Sequence, residues 1–427
     1  MKQMKKLTGL LVMMSGIVFH SNGQWAEKTI DMGAGYANQI YYSMENGVVK
    51  STSVYNWDLA FNTSKQDNGI RVNHMNGVEV FMYEKGDTGS WSSFDTTGWN
   101  DFPQLYNSDT SMDVGAFNRN IDPSDPFDFS WGKYNVATHI VTGDSLYLLV
   151  FRDQSQNITG MKKFWIVRQT SSNGNVTIKM ADVDGTNEYT EEIQNKDGAK
   201  YNFTYYNLRT NKVVDRAPEK SMWDVTFARY FYYLGPHSPF PYYQTTGVIS
   251  NIGVKVTEVR DMMPDSVHAW SQAGNSSANH FVIGNDWKSF DNGWALEDSL
   301  SYIIYPKSGD KYFHIYFSDF QGSATGVTKF MQSTHLTSVG DELETEFAVY
   351  PNPADGIYVR IYFAEHMDLA NIDILDISGK VVASKVVENA AANEEVTMPI
   401  EDLSNGYYFV RISSKNTNTT KKLVINK

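Results

Sequence analysis

Between residues 262 and 280 the chain gathers Met262, Met263, His268 and His280 around a Gly274-Asn275-Ser276-Ser277 loop, with Trp270 and Trp287 close by in sequence. Thioethers and imidazoles are the axial donors of haem iron, and aromatic rings furnish the dry slot a porphyrin needs. Met262, His268 and His280 are therefore the candidate cofactor-binding residues if the chain binds haem, a cofactor that a family resemblance implies and these residues alone do not establish. The same stretch also reads as a surface loop with two solvated histidines. Elsewhere in the body, His237 sits in a Gly235-Pro236-His237-Ser238-Pro239 turn, and His314 lies in an alternating strand.

Other chemistry finds less support. There is no His-Glu-x-x-His pair, no Gly-x-Ser-x-Gly elbow and no glycine-rich phosphate loop leading into a helix. Asp182-Val183-Asp184-Gly185 starts like a calcium loop but lacks the downstream bidentate Glu, so it reads as a turn. Asp122, Asp125 and Asp128 share a proline-rich loop, where solvated carboxylates are the ordinary case. No catalytic residue and no metal site are assigned, and an enzyme is not expected. A glycan-cleaving enzyme would require two carboxylates about 5 to 9.5 Å apart in a cleft.

The elements that must position these residues are strands. The 427 residues include 10 Trp, 26 Tyr and 23 Phe, with only 20% charged residues, a balance suited to many short strands and turns. Turn signals such as Glu45-Asn46-Gly47, Asp67-Asn68-Gly69 and Ser172-Asn173-Gly174 punctuate the body. In Lys311 to Phe317, Phe313, Ile315 and Phe317 alternate with Tyr312, His314 and Tyr316, the period of a strand with one face in a core. The absence of cysteine removes disulfides, thiolate metal sites and any lipid anchor on an N-terminal Cys. With a net charge of -13, nucleic acid and anionic lipid are poor partners. Outside the first residues, no segment approaches the ~18 apolar residues of a membrane span.

Both ends carry export signals. Lys2, Lys5 and Lys6 precede the apolar run Leu7 to Phe19, and Ser21 and Gly23 prepare a cleavage before Gln24, so residues 1 to 23 read as a signal peptide. An acidic stretch, Asp341 to Glu346, separates the body from a smaller unit of 347 to 427, with residues 339 to 346 as linker. That unit opens on Tyr350-Pro351-Asn352-Pro353, turns at Asp376-Ile377-Ser378-Gly379-Lys380 and at Leu403-Ser404-Asn405-Gly406-Tyr407, and ends in a basic strand. Some six short strands make it a small β-sandwich. It resembles the C-terminal sorting domain of the type IX secretion system of Bacteroidetes. The resemblance implies handling by that machinery and a secreted or outer-surface location.

The body repeats itself. Tyr41-Tyr42 matches Tyr205-Tyr206, Val48-Val49 matches Val213-Val214, and Trp57-Asp58-Leu59-Ala60-Phe61 matches Trp223-Asp224-Val225-Thr226-Phe227. Gly77 to Val80 then matches Gly253 to Val256, Asp144 to Tyr147 matches Asp298 to Tyr302, and Lys163 to Val167 is set against Lys311 to Ile315. Two copies, 24 to 190 and 191 to 338, are expected as related antiparallel β-domains, making the chain all-β. The order of motifs, with Trp131-Gly132-Lys133-Tyr134 and Trp287-Lys288-Ser289-Phe290, resembles the haem-binding HmuY-type proteins of Bacteroidetes. Membership implies haem bound at loops near one end of the fold. The founding member's ligating His after the Trp-x-x-Phe segment falls here on Asn292 and, in the first copy, on Val136. The expectation is a secreted, non-enzymatic ligand-binding protein, with haem as first ligand and surface adhesion or glycan binding as the alternative.

Overall fold

The computed structural model describes residues 25–427 apart from 65–67, 240, 265–278, 308, 310, 337–346, 355, 364–365, 392–393 and 415–417. The expected signal peptide, 1 to 23, and the expected linker, 339 to 346, thus lie outside the described residues. The chain divides into two compact units, a body to His335 and a tail from Leu336, and both are built from antiparallel strands.

The body holds two sandwiches of the same plan. In the first, a sheet ordered Tyr189–Ile193, Val176–Asp182, Ile158–Thr170, Leu146–Arg152, Val78–Met82 covers one ordered Lys212–Val214, Phe203–Asn207, Leu59–Asn62, Ile70–Val72. In the second, Ala26–Asp31, Val327–Leu336, Lys311–Phe320, Leu300–Tyr305, Lys255–Arg260 cover Gly47–Ser53, Asn38–Ser43, Val225–Tyr233, Tyr242–Ser250. The strands named correspond one for one, and the first sandwich adds Gln104–Leu105, Gly132–Asn135 and Ile140–Gly143 to its larger sheet. Each sandwich has its own core, Leu59, Phe61, Tyr147, Phe164 and Ile178 in the first, Ile40, Tyr42, Phe227, Tyr302 and Phe317 in the second.

The expected division at 190/191 marks the repeat but not the sandwiches, because each sandwich borrows strands from the other copy. Asn38–Ser43 pairs with Val225–Tyr233, and Phe203–Asn207 pairs with Leu59–Asn62. Ala26–Asp31 likewise joins Val327–Leu336, while Tyr189–Ile193 joins Val176–Asp182. Chain reach explains the exchange. For Leu59–Asn62 to lie beside Asn38–Ser43, residues 54–58 would have to run back along Gly47–Ser53 and cross a strand. Five residues reach at most about 18 Å, whereas that strand alone is about 20 Å long. The chain instead continues into a new sheet, and the hairpin it leaves behind is completed by the second copy.

Equivalent residues then occupy equivalent places. Trp57 packs edge-on against Tyr205 at 5.0 Å, and Trp223 against Tyr41 at 5.0 Å. The aspartate after each tryptophan accepts a backbone N–H beyond the borrowed strand: Leu208 to Asp58 and Met44 to Asp224, both at 2.7 Å. One match needs correction. Tyr147 lies opposite Phe164 and Tyr302 opposite Ile315, so Phe164 corresponds to Ile315 and the match of Lys163 with Lys311 slips by three residues. Both stretches alternate around aromatic residues, and only the cross-strand partner distinguishes the registers.

The two four-stranded sheets are buried on both faces, since they also pack on one another through Tyr41, Ala60, Phe203, Tyr205, Trp223, Ala228 and Tyr230. Arg216 is buried in this joint at 1% exposure. It donates to Asn56 Oδ1 (3.1 Å), Gln39 Oε1 (3.0 Å), the Tyr41 hydroxyl (3.3 Å) and the Ser53 carbonyl (3.3 Å), and lies 4.8 Å from the Tyr205 ring centre.

The tail is a sandwich of seven strands. Phe347–Tyr350, Tyr358–Phe363 and Glu395–Pro399 form one sheet, and Val381–Ala390, Met367–Leu375, Gly406–Ser413 and Asn418–Ile425 the other. Val359, Ile361, Ile372, Ile374, Val410, Ile412 and Leu423 fill its core.

Replacing Arg216 with Ala strands several buried acceptors and opens a hole between the sheets. It is expected to lower body stability by on the order of 3 kcal/mol, read by urea unfolding of the full chain.

Candidate functional site

Among the hollows at the joint between the sandwiches, two share His74, Met75 and Arg229 on their walls. One is a cavity of about 90 Å³ between the four-stranded sheets, and the other an open cleft of about 570 Å³. The cleft is lined by Tyr55, Arg152, Arg209, Arg229, Gln156 and Gln244, among others, so its wall is polar and carries three arginines.

Its floor is the short turn His74–Asn76. Asn73 builds that turn, accepting the Met75 N–H (3.2 Å) and donating to the carbonyls of Val54 (2.7 Å) and Trp57 (2.9 Å). Gly77 closes it with φ of 70°, and a Cβ there would come within 2.2 Å of the Arg152 carbonyl. A glycine at this point is what lets the Arg152 strand approach, its N–H donating to Gly77 O at 2.7 Å.

The arginines differ in their partners. Arg152 Nε pairs with Glu79 at 2.8 Å. Arg209 pairs with fully buried Asp58 and donates to Asn76 O at 2.8 Å. Burial raises the Asp58 pKa despite the opposing pull of Arg209 and of the N–H donors. Arg229 donates to the Tyr55 hydroxyl (3.3 Å) and Gly35 O (3.4 Å), and with the Gln244 amide turned to suit both groups, Arg229 Nε donates to its oxygen at 2.8 Å. Among the described residues no carboxylate pairs with Arg229. Asp153, the acid on the cleft wall, is turned into its own loop, accepting the N–H groups of Ser155 and Asn157, each at 2.9 Å.

The hairpin of Val225–Tyr233 and Tyr242–Ser250 runs on past the joint toward the first sandwich. Phe231 packs against His74 (5.2 Å) and Tyr106 (5.2 Å), Tyr242 stacks on Tyr106 at 3.9 Å, and Tyr233 N–H donates to Asp109 at 2.8 Å. Tyr232 and Tyr243, paired across the strands, are left 41% and 58% exposed.

Of the sequence candidates, Met262 and His280 line neither hollow. Met262 is 43% exposed, and His268 lies outside the described residues. His280 is buried: its ring Nδ1 accepts the Met112 N–H at 3.1 Å, and its backbone N–H donates to Thr110 O at 2.9 Å. Asn292 and Val136, where the resembled family has its ligand, are both exposed. His314 is buried with its ring centre 4.9 Å from Trp25. His74 enters the hollows, but its Nε2 meets Leu105 O at 3.2 Å and Tyr106 stacks on its ring. The hollow between the sheets is far below the roughly 300 Å³ at which small-ligand sites begin. Met262 and His280 are thus not brought together around either hollow. Asp122, Asp125 and Asp128 each cap their own loop, and among the described residues no cluster of metal-ligating side chains occurs.

Both joint histidines resist protonation. Burial, helped by Arg71, lowers the pKa of His280 to about 4, and burial lowers that of His74 to about 4 as well. In the unfolded chain each takes a proton as pH falls through its ordinary value near 6.5, whereas the folded chain refuses it until about pH 4. Stability is full above pH 6.5 and drains as pH falls toward 4, by about 2 kcal/mol per histidine at pH 5. Urea unfolding at pH 7 and pH 5 should show this loss, and His74→Gln with His280→Gln should flatten it.

No curated protein matches the chain. Residues 348–426 match the secretion system C-terminal sorting domain family, and this span is the tail sandwich. The tail is accordingly a type IX sorting domain, and the protein that carries it is one exported to the cell surface or secreted.

Proposed function

We propose that the body is a non-enzymatic binding protein acting outside the cell, and that its ligand is an acidic carbohydrate seated in the cleft between the sandwiches. The observation that carries this reading is Arg229, a guanidinium on the wall of a 570 Å³ cleft with no carboxylate partner among the described residues. A carboxylate or sulfate is the group a planar fork of donors receives best. Gln154, Gln156, Gln244, Asn76 and Thr159 supply the amides and hydroxyl that suit sugar hydroxyls. The exposed rings of Tyr232 and Tyr243 on the same hairpin offer an apolar face to a pyranose.

Calorimetric titration of the full chain with uronate-bearing and neutral oligosaccharides of equal length tests the reading. The acidic set should bind more tightly and lose affinity with added salt. Arg229→Gln should weaken it about tenfold, ~1.4 kcal/mol. Equal affinity for both sets, or an unchanged Kd in Arg229→Gln, would overturn it. A haemin titration of the same chain should give no saturating Soret shift. A saturable shift abolished by His268→Ala would return the ligand to haem.

A further inference from the structure

We infer that one half of the outer face of the tail's four-stranded sheet is the docking surface for the export machinery, built to receive an apolar surface edged with acidic groups. The inference rests on the sorting-domain match, which says that the tail is handled by that machinery but not which face is read.

The outward side of a solvent-facing sheet is ordinarily polar. Around Asp373 and Arg411 the face obeys this: Arg411 pairs with Asp373 at 2.6 Å, and Ser384 donates to the same carboxylate at 2.7 Å, while the exposed apolar side chains beyond them, Leu369 and Val386, are aliphatic and include no ring. The half nearer the Asp376–Lys380 turn does not. Val381, Leu375, Phe409 and Lys422 stand opposite one another in register across all four strands, so they form one transverse row. Leu375 is not part of the interior core, yet it is only 7% exposed, so its outward neighbours cover it. Tyr407 adjoins this row at 60% exposure and Ile377 in the turn stands at 79%. Contiguous exposed apolar side chains of this kind mark interaction sites.

Charge selects the partner. Lys422 Nζ sits 4.6 Å from the centre of the Tyr407 ring, and among the described residues it makes no ion pair. An aromatic ring beside an unpaired ammonium favours an apolar partner with a carboxylate at its rim. On the opposite half the cation, Arg411, is already paired with Asp373 within the sheet and makes no such demand.

The test is export of the full chain from its native host. Tyr407→Ser with Phe409→Ser should lower the extracellular fraction about tenfold, as loss of a central anchor pair does to an interface. Asp373→Asn with Arg411→Gln, on the other half, should export as wild type. Thermal melts of the purified chains report folding. If the first variant melts early, Ile377→Ser with Val381→Ser interrupts the same patch at the turn and the edge strand. Retention of that second variant with a normal melt supports the inference. Normal export of either folded patch variant overturns it, as does a wild-type dimer that the substitutions split without changing export.

Discussion

The architecture of the body depends on the shortness of the segment 54–58. Five residues cannot bring the chain back across its own hairpin, so the first hairpin is completed by Val225–Tyr233 of the second copy, and Leu59–Asn62 is left to complete the hairpin of the second. Everything central follows from that exchange. The four-stranded sheets become composite, each is buried on both faces, and the layer between them must be filled. The filling is aromatic and small residues around one buried guanidinium: Arg216 lies over Tyr205 of the first sandwich and bonds to Gln39 and Tyr41 of the second. Among the described residues no carboxylate pairs with this arginine, and its burial is tolerable because four acceptors and two rings surround it.

The exchange makes two equivalent sandwiches, and the cleft exists because the equivalence is broken. Where the first copy has the short strands Leu59–Asn62 and Ile70–Val72, the second has Val225–Tyr233 and Tyr242–Ser250, nine residues each. The extra length carries Arg229, Phe231 and Tyr243 beyond the common fold and over the first sandwich. The first copy answers with the loop around Asp109 and Met112, which receives Tyr233 N–H and His280. Repeated elements hold the frame, and the unrepeated ones shape the cleft, which is where a binding site is free to diverge.

Much of this was legible in the sequence. The strand period, the paired Trp-Asp blocks and the turns of the tail each name an element correctly, because burial on a pleated surface imposes them residue by residue. Strand exchange was not legible, since two similar copies present the same alternation whichever partner they choose. The slip at Lys163 has the same origin, for alternation fixes a face but not a register. The surroundings of the candidate donors were not legible for another reason. Met262, His268 and His280 were singled out by donor type, and His280 turns out to give its Nδ1 to a backbone amide across the joint, a partner 168 residues away that no local spacing announces. His74 and Arg229 carried a signal only as polar residues interrupting runs that otherwise read as strand.

Tail and body solve opposite surface problems. In the body, rings that a sheet would leave outside are turned against a second sheet, and Tyr41, Tyr205 and Trp223 end in the interior. In the tail the inner faces of two sheets are enough to make a core, and the outer row of Val381, Phe409 and Tyr407 has no layer above it. Burying such a row would stabilise by about 25 cal/mol per Å², so leaving it open costs stability that an ordinary sheet would keep. A polar substitution at any of these outward positions would disturb no inner contact, since Ile374, Val410 and Leu423 hold the core without them. Aromatic side chains persisting where the fold does not need them are best understood through what they touch outside the fold, and in a sorting domain that is the apparatus that exports it.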